Sequence, residues 1–483
     1  MSRREELLAV ARANPEAIVD YGLALEEQVR QLQDQVRRLE ARVAELEARL
    51  AQDSSNSSRP PSSDGLGKAP PRSLRTQSGR KPGGQPGHPG STLQAVAKPD
   101  HVKVHALTLC PCGQCGGVSL LGQPVLDHEC RQVFDLPALQ LSVTEHQAEI
   151  KRCPVSGRKV SAAFPAGVLA PVQYGPNFRG LTLYLFNQQL LPFDRLRQTC
   201  LDLFGQPLSL GTLTQTHQSA YHALAPVESA VIRALIQAAV VHVDESGLRV
   251  AGGLHWLHVA CTTELTHYGV HANRGTEAMD ALGVLPHCRQ WLVHDHWKSY
   301  YKYEAMHALC NQHLLRELKF LAEELHEAWA SELSAFLIQW KNDPFTSLGL
   351  EDEQFRQAHA RYRAILRRAR RDHPRRQLGQ GRTQQDKATN LLDRLEDYDL
   401  SVLAFLIDPK VPFTNNQGEQ DIRMIKVKQK ISGCFRTLVG AQVFARIRGY
   451  LSTCRKQGHN LWEACRRLVL GQPFMPNVPA SGP

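Results

Sequence analysis

A β-branched run broken by two adjacent acids, AVVHVDESGLRV at residues 239–250, constrains this chain more than any other feature. The run has the composition of an interior strand, yet it carries Asp244 and Glu245 side by side. Burying an acid on an apolar strand is costly unless it is paired or bound to a metal ion. Successive strand residues face opposite ways, so Asp244 and Glu245 address different faces. We assign Asp244 to a site and leave Glu245 out of it.

The residues after this run set the layout. Beyond Gly252-Gly253 comes a second strand, LHWLHVACT, then a tight Thr263-Glu264 connection and a third strand, LTHYGVH. A short helix (TEAMDAL) leads to the apolar QWLVHDHW with Asp295, then KSYYKY, HALCNQH and the helical LLRELKFLAEEL. Three meandering strands succeeded by alternating helix and strand predict an α/β ribonuclease-H-like core. There the first and fourth strands are neighbours, so Asp244 and Asp295 converge. Carboxylate oxygens are hard ligands suited to Mg2+, and two such ions can clamp the attacking and leaving oxygens of a phosphodiester. A third carboxylate comes from PFTNNQGEQDIRMIKVKQKISGCFRT. Asn415, Asn416 and Gly418 form a turn, Glu419 opens a helix, and Arg423, Lys426 and Lys430 share one side of it. Glu-x-x-x-Arg alone would read as an exposed salt-bridged helix. The Asn-Asn turn and the basic face favour a metal ligand beside a phosphate backbone, with the three cations as DNA contacts.

The rest of the chain divides by composition. Leu25, Val29, Leu32, Val36, Leu39, Val43, Leu46 and Leu50 alternate spacings of four and three. Valine at a and leucine at d favour two parallel strands, and Arg42 can meet Glu47 of a partner helix. Residues 51–92 are rich in Ser, Pro and Gly and cannot build a core. Their basic end, Arg80-Lys81-Pro-Gly-Gly, reads as a minor-groove arm or as a plain tether. Residues 101–172 form a small β-rich segment with Cys112-Gly-Gln-Cys115 and Cys110 just before it. A return pair at Cys153 fails at Ser156, a poor zinc ligand. Cys110, Cys112, Cys115 and Cys153 are the candidate zinc set, with Cys130, His128 and His146 as alternatives and a metal-free remnant as the rival reading. Residues 176–236 are helical, with LFG closing one helix and Ser209 or Thr212 capping the next. That is a helix-turn-helix or an ordinary helical hairpin.

With 483 residues the chain exceeds a single core, and its net charge of +10 points to a polyanionic partner, most simply nucleic acid. No apolar run approaches the roughly 18 residues that cross a bilayer. The N-terminal MSRREELLAVARANPEAIV lacks the apolar core of a secretory signal, so the 12 cysteines are expected to be reduced thiols in a cytoplasm.

Taken together, these segments resemble the insertion sequence family 66 transposases, Asp-Asp-Glu recombinases with a ribonuclease-H-like core. The resemblance runs almost end to end, through the heptads, GRKPGGQPGHPGSTL, the CxxC segment, YGPNFRGLTLYLFNQQLLPFDR, HVDESGLRV, LVHDHWKSYYKY, HALCNQHLLREL and FTNNQGEQDIRMIKVKQKISGCFRT. It implies metal-binding roles for Asp244, Asp295 and Glu419 and a helical insertion over 314–408. Cys310-x-x-His313 matches a Cys/Asp-x-x-His element of several transposase groups, so His313 either supports the scissile phosphate or is a buried core histidine. The expected domains are 1–52 coiled coil, 53–100 linker, 101–172 zinc-finger-like, 173–236 helical DNA-binding, 237–313 core, 314–408 insertion, 409–472 core helices with Glu419, and 473–483 tail. The implied activity is cleavage at transposon ends and strand transfer into target DNA, with two Mg2+ or Mn2+ ions and zinc as a further metal. DNA, a second copy through residues 25–50 and proteins encoded by the same element are the expected partners, with no membrane, in a bacterial cytoplasm near the nucleoid. The rival functions are a nuclease on the same core and a non-catalytic, domesticated DNA-binding regulator.

Overall fold

The structure, a computed structural model, describes residues 5, 9, 12–50, 93–137, 139–343, 349–375 and 386–477. The chain divides into two compact units. Met1–Pro71, Pro165–Gln198 and Leu208–Pro483 form one, and Arg72–Phe164 with Thr199–Pro207 the other. No described helix is long and apolar enough to cross a membrane.

The first unit holds helix α1 (Pro15–Leu50), whose eight heptad residues are all exposed. Helix α2 (Pro176–Leu183) runs into a π turn at Tyr184–Gln188. Helix α3 (Phe193–Phe204) stops at Gly205, whose φ of 64° is the left-handed conformation that closes helices. Helix α4 (Leu210–Ala223) starts where the Ser209 hydroxyl accepts from the Thr212 N–H, the first of the two caps the sequence offered. Helix α5 (Ala225–Gln237) leads into the sheet.

Strands β3 (Val240–Val250), β4 (Gly253–Cys261) and β5 (Thr266–His271) form an antiparallel meander. After helix α6 (Thr276–Ala281), β6 (Trp291–His294) and β7 (Met306–Leu309) add in parallel on the other side of β3. The order is β5-β4-β3-β6-β7, a mixed sheet with β3 at its centre. Period-two alternation assigns its faces. Val241 and Val243 pack with Val231 and Leu235 of α5 and with Tyr300. Leu248, Leu257 and Val259 pack with Ile422 and Ile425 of helix α13 (Asn416–Ser432) and Phe444 of α14 (Leu438–Lys456).

Helices follow β7 from Asn311 onward. Helices α7 (Asn311–Glu324), α8 (Ala328–Asn342), α9 (Glu353–Asp372) and α10 (Lys387–Asp397) share a core around Phe336, Tyr362 and Leu392. Two short helices, α11 (Asp399–Val402) and α12 (Ala404–Ile407), lead back to the sheet, and α15 (Leu461–Val469) packs on α2 and α14.

In the second unit, regular strand structure among the described residues is limited to β1 (Ile150–Arg152) antiparallel to β2 (Lys159–Ser161) and a bridge between Leu109 and Ser119. That is less strand than the sequence suggests. Its apolar side chains, such as Val104, Val125 and Val143, are exposed, so no buried face fixes a longer register.

Candidate metal centre

The parallel pairing of β3 and β6 leads to an acid at each strand. His242 of β3 pairs with Val293 of β6, and Asp244 and Asp295 each lie two residues beyond that pair. Asp244 accepts from the Glu245 N–H at 2.8 Å, and Asp295 accepts from the Trp297 N–H at 3.1 Å. Between the latter pair, His296 adopts a φ of 77°, a strained conformation for a non-glycine residue. A chain of neutral histidines supports it. His307 Nε2 donates to the Tyr303 carbonyl (3.2 Å), so its Nδ1 accepts from His294 Nε2 (3.0 Å). His294 Nδ1 then accepts from the His296 N–H (3.1 Å). Burial and the two neighbouring imidazoles hold His294 well below its usual range, which keeps this tautomer chain intact.

Glu419 arrives from far along the chain because Asn415 fixes its helix. The Asn415 side chain donates to the Val243 carbonyl (2.8 Å) and accepts from His242 Nδ1 (2.8 Å). Its backbone N–H donates to Cys310 Sγ (3.1 Å), and its carbonyl accepts from the Glu419 N–H (3.2 Å). One buried residue thus joins β3, the start of α7 and the first turn of α13. At Gly418 an added Cβ would lie 3.1 Å from Asn415 Oδ1, so the close approach suits glycine. The helix begins at Asn416, earlier than the sequence suggests, and Glu419 sits in its first turn.

Burial pushes the Asp244 carboxyl well above its usual range, and Glu245, Asp295 and Glu419 each push it further. Glu245 faces the other way, as its strand position predicts, and is compensated there. Arg274 donates to it through Nε at 2.9 Å, and the Tyr300 hydroxyl donates to its second oxygen. The Arg274 guanidinium lies 4.9 Å from the Trp256 ring centre and 4.2 Å from that of Trp297. Burial still raises the Glu245 carboxyl, with Asp295 adding to the shift.

Other candidates divide. His313 is in the first turn of α7, not on a strand, with Nδ1 3.8 Å from Glu419 Oε1. Arg423 and Lys430 are exposed and Lys426 half-buried, and no carboxylate among the described residues pairs with any of them. Lys428, which the sequence pattern does not single out, is buried against Phe186 and Phe444, and burial lowers it to about 8. Arg80 and Lys81 lie outside the described residues. Among the described residues, two trios place ligand atoms within 4.8 Å of one another: Cys110, Cys112 and Cys115, and Cys310, His313 and Glu419. The trio of Asp244, Asp295 and Glu419 is not that tight. Cys153 joins neither trio and accepts instead from the Ser156 N–H at 3.4 Å. Hydrogen bonds from nearby N–H groups and from Cys110 and Cys115 lower the Cys112 thiol to about 6.

Sequence reasoning missed Asn415 as a cross-link, Arg274 and Tyr300 as partners of Glu245, and the pairing of Lys456 with Asp421 (2.5 Å). The Asn-Asn turn was the visible trace of the first. The others left none.

Residues 171–443 match the model of a family described as "Transposase IS66 family", a span that contains Asp244, Asp295 and Glu419. Residues 9–94 match a family of unknown function, DUF6444. No curated protein matches the chain.

Proposed function

The chain belongs to the IS66 family of transposases, and from that premise we propose that it cuts transposon ends and joins them to target DNA at Asp244, Asp295 and Glu419. The observation that carries this reading is the state of Asp244, whose carboxyl is pushed up by burial and by acids from two distant parts of the chain. A fold that gathers like charges in this way is poised to accept a cation.

On this reading Asp244, Asp295 and Glu419 would together hold two Mg2+ or Mn2+ ions. The ions would supply positive charge to the crowded phosphate and a nucleophile at neutral pH. The histidine chain and the Trp297 N–H hold Asp295 in place, and Asn415 does the same for Glu419. Arg423, Lys426 and Lys430 would neutralise the DNA backbone. His313 would aim its second ring nitrogen at the scissile phosphate. Water attacks the phosphodiester at the transposon end and releases a 3′-hydroxyl. That hydroxyl then displaces a 3′-oxygen in target DNA, with no covalent protein intermediate. The sheet order supports reading the core as ribonuclease-H-like. We extend the proposal to zinc on the Cys110 trio and to pairing of two copies through residues 25–50.

The test incubates purified protein with end DNA, target DNA and Mg2+ or Mn2+. Nicked ends and joined products are expected. Asp244→Asn, Asp295→Asn and Glu419→Gln should each lower both by at least about a thousandfold while DNA binding persists. Full cleavage by any of the three would remove that residue from the site. Cuts without joining would make the protein a nuclease.

A further inference from the structure

We propose that Cys310, His313 and Glu419 form a second metal site in the core, suited to a zinc-class divalent ion and not to Mg2+. The three come together at the facing N-termini of α7 and α13. Cys310 directly precedes α7, His313 lies in its first turn, and Glu419 lies in the first turn of α13. Their ligand atoms all fall within 4.8 Å of one another, and His313 Nδ1 is 3.8 Å from Glu419 Oε1. Ligands bonded to one tetrahedral zinc at about 2.0–2.3 Å stand roughly 3.3–3.8 Å apart, so only small side-chain movements close the trio on an ion.

A second observation points the same way. His313 Nδ1 and Glu419 Oε1 are both buried with no hydrogen-bond partner. Buried polar atoms are normally satisfied, and two orphans that face each other beside a buried thiol describe a coordination sphere short of its ion. Cys310 Sγ already accepts from the Asn415 N–H at 3.1 Å, an outer contact that orients a thiolate ligand. Thiolate, imidazole and carboxylate together select borderline ions such as Zn2+ or Co2+, whereas Mg2+ prefers oxygen alone. Three protein ligands leave a fourth position for water or a phosphate oxygen. Ligation displaces the thiol proton: Cys310–SH and the dication give the metal thiolate and one H+. The site shares Glu419 with the phosphoryl-transfer reading, but its readout is ion binding, which stands even if the chain never cuts DNA.

The test is a Co2+ titration of the full chain carrying Cys112→Ser and Cys115→Ser, which removes the other trio. One equivalent of Co2+ should produce a thiolate-to-cobalt charge-transfer band in the near ultraviolet. Adding Cys310→Ser should abolish the band, with circular dichroism confirming the fold. His313→Asn, which leaves the sulfur in place, should weaken Co2+ binding by at least about tenfold. No band in the parent chain, or a band that survives Cys310→Ser, overturns the proposal.

Discussion

Asp244 binds its proton more tightly in the fold than in the unfolded chain, because burial and three acids oppose its charge. A carboxyl raised in this way favours the metal-free fold below the ordinary Asp range, near about 3.9. That contribution disappears as pH rises through the raised value. At neutral pH the residue is thus a net cost to the apo-protein, tolerated for what it does. Asp244→Asn keeps an acceptor for the Glu245 N–H and removes the penalty. Its melting temperature without metal should exceed that of the parent at pH 7 and converge with it in acid, while cleavage is lost. Scanning calorimetry at both pH values measures this, and a lower melting point at pH 7 would contradict it. Asn415 gives the opposite case. Asn415→Ala strands the Val243 carbonyl and His242 Nδ1 in the core. The expected loss is about 2–4 kcal/mol for two buried groups left unpaired. Cleavage should fall even with Glu419 intact, which urea unfolding and a cleavage assay at saturating Mg2+ separate.

At the scale of elements, α13 decides whether the site exists, since it carries Glu419 at one end and a deep anchor nearby. Asp421 accepts from Lys456 of α14 and from the Thr266 hydroxyl at 3.2 Å, while Lys456 also donates to the Thr262 and Leu265 carbonyls. Both side chains are about one-tenth exposed, so removing one leaves a buried charge without a partner. Lys456→Met should cost about 3–5 kcal/mol in urea unfolding. A loss near zero would mean that water enters the pocket. This pair also shows where the sequence stops being legible. Strand alternation was readable from 240 to 295 because it is local: Asp244 and Glu245 were assigned opposite faces, and the contacts of each bear that out. The start of the helix that carries Glu419 was readable from the Asn-Asn turn before it, while the role given to Glu419 rested more on the family resemblance. The Asp421–Lys456 pair, the Asn415 cross-link and the inward turn of Lys428 depend on which elements meet in space, and no periodicity records that. The basic face of α13 accordingly reads from sequence as Arg423, Lys426 and Lys430 alone, with Lys428 between them unassigned.

At the scale of the molecule, α1 leaves an apolar seam exposed. Leu25, Val29, Leu32, Val36, Leu39, Val43, Leu46 and Leu50 are between 43% and 81% exposed. On the proposed pairing, this 36-residue helix would bury its apolar seam against another copy of itself, because isolated helices draw little stability from propensity alone. On the proposed function the same contact has a purpose, since joining two transposon ends requires two active sites held together. Leu32 and Leu39 are both at d, so Leu32→Lys with Leu39→Lys changes four buried side chains in a symmetric pair. At about 2 kcal/mol for each leucine burial forfeited, the loss is roughly 8 kcal/mol, before the repulsion of four new charges. Sedimentation should then find half the parent mass at micromolar concentration. Cuts at a single end should persist, because the described contacts of Asp244, Asp295 and Glu419 involve no residue of α1. Products that join two ends should fall by at least about a hundredfold, in line with a dimer dispersed by more than about 2.7 kcal/mol under assay conditions. An unchanged mass would assign the seam to another surface of the same chain. Unchanged two-end joining by a monomer would separate assembly from α1 altogether.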